Sequence, residues 1–201
     1  MTKDVYIQIK NIIDRLLALL AILVLSPILL LLALWIKLDS KGPVFFRQKR
    51  VGKDKVFFEI YKFRTMYVDT PKDMPTHLLQ NPDAFITKSG RFLRKTSLDE
   101  LPQLINILKG EMSIVGPRPA LWNQDDLIAE RDKYGANDVL PGLTGWAQVN
   151  GRDELEIPVK ATLDGEYIAK MGAWFDIKCI LLTVTSVLGQ KGVKEGGTGG
   201  K

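Results

Sequence analysis

The sequence predicts a mainly helical α+β protein in which an apolar N-terminal helix precedes a small β-hairpin and a helical domain. Three observations carry this. Residues 16–36 hold no charge and are almost wholly aliphatic. Residues 44–47 and 56–64 are aromatic and β-branched runs on either side of the polar turn 52–55, the pattern of a hairpin. Leu98, Leu101, Ile105 and Leu108 recur at helical spacing before Gly110, which predicts a helix there. The chain divides accordingly into an apolar segment (1–40), a folded domain (41–190) and a glycine-rich, flexible tail (191–201).

The chain has 201 residues, enough for one domain with a real core. A net charge of +5 favours an anionic partner: nucleic acid, an anionic membrane surface or a phosphorylated substrate. Charge alone does not choose among them. Cys179 is the sole cysteine, which excludes an intrachain disulfide and a cysteine metal cluster. His77 is the sole histidine and sits in what reads as an ordinary loop, so a histidine-based triad or zinc site is not expected.

At about 1.5 Å per residue, residues 16–36 are just long enough to cross a bilayer core of roughly 30 Å. The run is too long for a signal-peptide core and lacks a cleavage site after it, so it is expected to stay on the protein. Pro27 removes a backbone donor in mid-helix, which predicts a kink or break at Ser26-Pro27, with the Ser26 hydroxyl bonding a freed carbonyl. Lys3, Lys10 and Arg15 precede the segment, and Lys37, Lys41, Arg47, Lys49, Arg50, Lys53 and Lys55 follow it. Cations on both sides suit a segment that enters and returns to one face. A kinked single span fits the residues equally well.

Residues 39–43 carry turn chemistry. The hairpin delivers Arg47, Lys49, Lys62 and Arg64 among aromatics, a mixture that suits stacked nucleic-acid bases, a nucleotide, a lipid headgroup or simply a solvated edge strand. Three prolines make 70–82 a loop, and 87–91 leads into the central helix. There Asp99 and Glu100 follow Thr96 and Ser97. The plain reading of Ser97-x-x-Glu100 is a capping box. The setting points further, because Arg91, Arg94 and Lys95 precede the acids and Gly116-Pro-Arg118-Pro follows the helix. A carboxylate pair between cations suits phosphate and divalent-metal chemistry. Residues 123–134 read as a solvated helix capped by Asn123 and closed by Gly135, with Asp125 and Asp126 as first-turn acids. Residues 141–152 are too glycine-rich for regular structure. They suit a loop that approaches a ligand, with Gln148, Asn150 and Arg152 as polar contacts, or a turn-rich connector. Residues 174–188 form a helix too short to span, with Trp174 and Lys178 suited either to a bilayer interface or to core packing.

Thr96-Ser-Leu-Asp-Glu-Leu-Pro-Gln-Leu104, Gly116-Pro-Arg-Pro119 and Pro141-Gly-Leu-Thr-Gly-Trp146 resemble the signatures of the bacterial sugar transferases, the monotopic phosphoglycosyl transferases. Lys62-Phe-Arg-Thr-Met66 is similar to another. The resemblance runs from the apolar segment to about Trp174 and suggests the minimal catalytic form, without a multi-span N-terminal region. It implies transfer of a sugar 1-phosphate from a UDP-sugar to polyprenol (undecaprenyl) phosphate, with release of UMP. In that reading Asp99 is the nucleophile and Glu100 a Mg2+ ligand, while Arg118, Lys62, Arg64, Arg91, Arg94, Gln148 and Arg152 contact substrate. The resemblance also favours a re-entrant helix broken at Ser26 and Pro27, with the catalytic domain on the cytoplasmic face of the bacterial inner membrane. Membrane lipids and glycosyltransferases of the same pathway are the implied partners, and nucleic acid is not. The rival is a non-enzymatic, membrane-anchored basic binding module. It accounts for the charge and the anchor, but not for acids and arginines recurring in three tight motifs.

Overall fold

The computed structural model describes residues 2–71, 82–151 and 155–188. The expectations for His77, Arg152 and the 191–201 tail lie outside those residues. Helix α1 (Lys3–Asp39) runs through Pro27 without an interruption. The expected break is therefore not a break in helical structure. Proline leaves the carbonyl of Leu23 without its usual donor, and Ser26 Oγ donates to it at 2.8 Å, so the local hydrogen-bond loss is made good inside the helix. Among the described residues α1 is the one helix long and apolar enough to cross a membrane.

One side of α1 is packed against the domain along nearly its whole length. Ala18, Ala21, Ile22 and Leu25 meet Ile60, Leu104, Ile107 and Met112. Further on, Leu29, Leu32, Ala33 and Ile36 meet Phe63 and Leu93. The other side leaves Leu16, Leu20, Leu23, Val24, Leu30, Leu31, Leu34 and Leu38 exposed. At the N-terminal end the packing turns polar. Tyr6 and Lys10 donate to Asp176, which also accepts from Tyr167 at 2.9 Å. Asp14 accepts from the Ser113 hydroxyl and from the Ile114 amide. Such charges are tolerated out of water because each has a partner.

The hairpin forms as expected. Strands β1 (Phe45–Val51) and β2 (Phe57–Phe63) pair antiparallel, with Phe46 opposite Lys62 and Gln48 opposite Ile60. Side chains alternate along a strand, so Lys62 shares a face with Ile60, which is in the core, and emerges at the core's edge.

Helices α2 (Lys88–Thr96) and α3 (Gln103–Lys109) follow, then a parallel pair of short strands, β3 (Ser113–Val115) and β4 (Gly142–Thr144). Helices α4 (Asp125–Asp132), α5 (Trp146–Val149), α6 (Ile157–Lys170) and α7 (Ala173–Leu188) complete the domain. α4 starts one residue later than an Asn123 cap would place it: Gln124 is the residue before the helix, and its side-chain Oε1 accepts from the Leu121 amide at 2.8 Å.

Residues 142–144 and 146–149 are regular after all, and Gly142 and Gly145 serve backbone packing. A Cβ on Gly142 would lie 2.1 Å from the Gly116 nitrogen, and one on Gly145 would lie 2.1 Å from the Gly116 oxygen. Only glycine lets the Gly116-Pro-Arg-Pro segment cross β4 this closely.

Candidate active site

Local chemistry brings the two carboxylates to a turn. Asp39, at the end of α1, accepts from the Ser89 amide at 2.9 Å and from its hydroxyl, fixing the start of α2. Hydrogen bonds from Ser89 outweigh the effect of burial and hold the Asp39 carboxyl below the usual range. Thr87 caps α2 by accepting from the Gly90 amide. The helix stops at Ser97, which adopts a left-handed conformation (φ 56°). A single 3-10 turn (Leu98–Glu100) precedes α3, whose own N-cap position is Pro102.

The capping box expected from Ser97-x-x-Glu100 does not form, since Ser97 makes no side-chain cap bond. With Ser97 left-handed, Asp99 and Glu100 sit between two helices instead of in the first turn of one. Left-handed backbone at a non-glycine residue is costly and is found where surrounding structure enforces it.

The turn faces cations. Lys62 Nζ lies 2.7 Å from Glu100 Oε1 and 3.9 Å from Asp99 Oδ2. Arg118 Nη2 reaches the same Glu100 oxygen at 3.0 Å. Arg94, in the last turn of α2, contacts Met66 Sδ at 3.8 Å and acts electrostatically on Asp99. Burial pushes the Asp99 carboxyl up; Lys62 opposes this, Glu100 adds to it, and Arg94 and Arg118 work against it. The result is a carboxylate held among cations with little water around it, suited to attack on an electrophilic phosphorus.

Other sequence candidates fall elsewhere. Arg64 is buried, and its three nitrogens donate to Pro43 O, Ser40 Oγ and Ser40 O. It straps the end of α1 and is not turned toward the carboxylates. Arg91 is exposed on α2. Gln148 is buried and donates to Leu143 O at 3.1 Å, bracing β4. Asn150 is exposed and donates to Trp146 O, one turn back along the chain. Asp125 and Asp126 stay exposed at the start of α4.

Sequence reasoning missed three polar residues. Gln103, just past the turn, is almost wholly buried, and its Nε2 donor has no partner among the described residues. Arg131 of α4 and Asp164 of α6 form a buried ion pair beneath the Arg118 segment. No local pattern marks them, because the partners are far apart in sequence.

No cluster of three or more metal-ligating side chains occurs among the described residues. Magnesium is typically held by one or two carboxylates together with substrate phosphates, and the Asp99–Glu100 pair matches that donor set.

The family model for the bacterial sugar transferases matches residues 5–190. The chain belongs to that family. Similar members include the UDP-glucose:undecaprenyl-phosphate glucose-1-phosphate transferase of Escherichia coli, 46% identical over 184 residues. That alignment covers 85% of this chain and 38% of the relative. The sugar transferase EpsL of Bacillus subtilis is 39% identical over 187 residues, covering 93% of this chain and 91% of EpsL. The UDP-N-acetylgalactosamine-undecaprenyl-phosphate N-acetylgalactosaminephosphotransferase of Aeromonas hydrophila is 38% identical over 192 residues, or 92% of this chain and 44% of the relative. The chain thus spans less than half the length of two of these three members of its family.

Proposed function

We propose that this sugar transferase moves a sugar 1-phosphate from a UDP-sugar to undecaprenyl phosphate and releases UMP. The observation that carries the proposal is the half-buried Asp99–Glu100 turn set against Lys62 and Arg118. Relatives named for UDP-sugar and undecaprenyl-phosphate chemistry support the substrate classes. A non-enzymatic binding module would have no use for a carboxylate kept among cations beneath the surface.

In the first step an Asp99 oxygen attacks the β-phosphorus of the donor. The bond from that phosphorus to the bridging oxygen breaks, and UMP departs with the electron pair. In the second step an oxygen of undecaprenyl phosphate attacks the same phosphorus and expels the Asp99 carboxylate. One pyrophosphate linkage is broken and one is formed, with no net change at the enzyme. The acceptor phosphate is already anionic near neutral pH, so Asp99 is of more use as a nucleophile than as a base. Lys62, Arg94 and Arg118 grip and neutralise the pyrophosphate. Mg2+ held by Glu100 with the donor phosphates would supply further charge neutralisation.

The first membrane step of glycoconjugate assembly needs a soluble donor and a lipid acceptor to meet at a surface. We read α1 as embedded in one leaflet of the bacterial inner membrane as a continuous helix, Ser26-Pro27 marking a bend at most, with the domain on the cytoplasmic face. Domain contacts support this, because they reach from Tyr6 to Asp39 along a helix of about 55 Å. A helix crossing the bilayer could not keep both ends against one domain on one side.

Purified protein mixed with donor alone should give a stoichiometric burst of UMP and a protein heavier by one phosphosugar. The adduct should sit on Asp99 and be absent from Asp99→Asn. UMP that appears only when undecaprenyl phosphate is added, with no adduct after acid quenching, would replace the covalent reading with direct displacement.

A further inference from the structure

Gly116-Pro-Arg-Pro119 is an unusual way to hold an arginine. Pro117 and Pro119 have no amide hydrogen, so the segment cannot build a hydrogen-bond ladder of its own around Arg118. Its carbonyls need donors from outside. Four consecutive carbonyls have them. Pro117 O accepts from the Gly142 amide at 2.9 Å and Ala120 O from the Val51 amide at 3.0 Å. Pro119 O accepts from Arg50 Nη1 at 3.0 Å, and Arg118 O from Arg131 Nη1 at 2.9 Å.

The last of these contacts sits on the carrier of the site's guanidinium. Arg131 spends its other two nitrogens on Asp164 Oδ2, Nε at 2.8 Å and Nη2 at 2.6 Å. The two side chains are 4% and 1% exposed. Arg131 comes from α4 and Asp164 from α6, so the ion pair joins two helices and then touches the active-site segment at one atom. Packing holds one end of the segment, where Ala120 meets Val51 and Leu127. A narrow cleft lined by Val51, Pro117, Arg118, Pro119, Arg131 and Pro141 among others lies beside it. The directed bonds fix the carbonyls along that side.

We propose that Arg131 and Asp164 are positioning residues for transfer. Asp164 orients the Arg131 fork, and Arg131 fixes the main-chain oxygen of Arg118, so that the Arg118 side chain meets Glu100 and the donor's phosphates at one place. The proposal rests on the phosphoglycosyl transfer reading for its kinetic arm only. Lysine cannot replace arginine here, because a single ammonium cannot bond Asp164 in a fork and also reach Arg118 O.

The test is Arg131→Lys in the full chain, alone and combined with Arg118→Lys. Three quantities are measured: the rate of UMP release from donor, the melting temperature in detergent, and amide hydrogen exchange over residues 116–122. The expected result is about a tenfold slower release, a melting temperature within a few degrees of the parent, and faster exchange confined to 116–122. In the Arg118→Lys background the same substitution should change the rate less than twofold, since the group it positions is gone. Equal rate losses in both backgrounds accompanied by a lower melting temperature would overturn the proposal and make the pair a fold brace. So would an unchanged rate with unchanged exchange.

If Arg118→Lys abolishes release, the exchange arm decides: local loosening at constant melting temperature supports the assignment, and uniform loosening removes it. That arm needs no turnover. A parent protein inactive with every donor would therefore defeat the transferase reading without touching the assignment of Arg131 and Asp164 as the hold on Arg118 O.

Discussion

Lys62→Met is the sharpest probe of how the site sets the reactivity of Asp99. The substitution keeps a linear apolar stem but removes the ammonium lying 3.9 Å from Asp99 and 2.7 Å from Glu100. Burial already pushes the Asp99 carboxyl up, and Lys62 is the strongest influence opposing it. Two unit charges at this separation attract by about 4 kcal/mol at an effective dielectric of ~20. Adjustment of Arg94 and Arg118, together with the 17% and 14% exposure of the two side chains, leaves about 1–2 kcal/mol, on the order of tenfold in ionised fraction. The sign follows directly. Losing the cation disfavours the carboxylate, so Asp99 becomes nucleophilic only at higher pH. Donor-only release of UMP, measured from about pH 5 to 9, should be about tenfold slower on the acidic limb, with the gap narrowing as pH rises. Lys62→Arg should recover most of the limb. A loss by the same factor at every pH, or a limb displaced to lower pH, would refute the electrostatic argument and leave Lys62 as a phosphate contact alone.

Glu100→Gln removes a like charge from beside Asp99, so the acidic limb of whatever activity remains should move to lower pH, opposite to Lys62→Met. Turnover should fall on the order of a hundredfold with little change in melting, because no capping box depends on this side chain; normal turnover would return Glu100 to a structural role. Gly90→Ala should destabilise the domain by about 1–3 kcal/mol, since its Cβ would lie 2.0 Å from the Thr65 carbonyl oxygen. Thermal melting checks it, and an unchanged melting temperature would mean that α2 shifts freely. Pro27→Ala restores a backbone donor and should send some molecules across the bilayer. A thiol introduced at position 3 reports it cleanly because Cys179 is buried. Labelling by an impermeant reagent from the periplasmic side of intact cells should be absent in the parent and appear in the variant; labelling of the parent would end the re-entrant reading.

What the sequence determines by itself is everything carried by neighbours along the chain. An uncharged aliphatic run makes an apolar helix, and aromatic and β-branched runs around a polar turn make the β1–β2 hairpin. Acids next to arginines and a Gly-Pro-Arg-Pro segment mark the reactive region. These need only local periodicity and composition, and they were legible for that reason. Tertiary structure decided how each residue is used. Lys62 and Arg64 are two residues apart on one signature, yet Lys62 faces Glu100 while Arg64 is enclosed by Pro43 and Ser40. Ser97 and Glu100 satisfy the spacing of a cap, but the lysine and arginine beside Glu100 come from β2 and from the loop after β3. Gly142 and Gly145 answer to Gly116, and Asp164 to an arginine on another helix. Lys10 and Asp176 meet from opposite ends of the chain. In each case the deciding partner is distant in sequence, and only folding brings it close enough for charge, hydrogen bonding or exclusion of a single Cβ to choose among roles that the local pattern leaves equal.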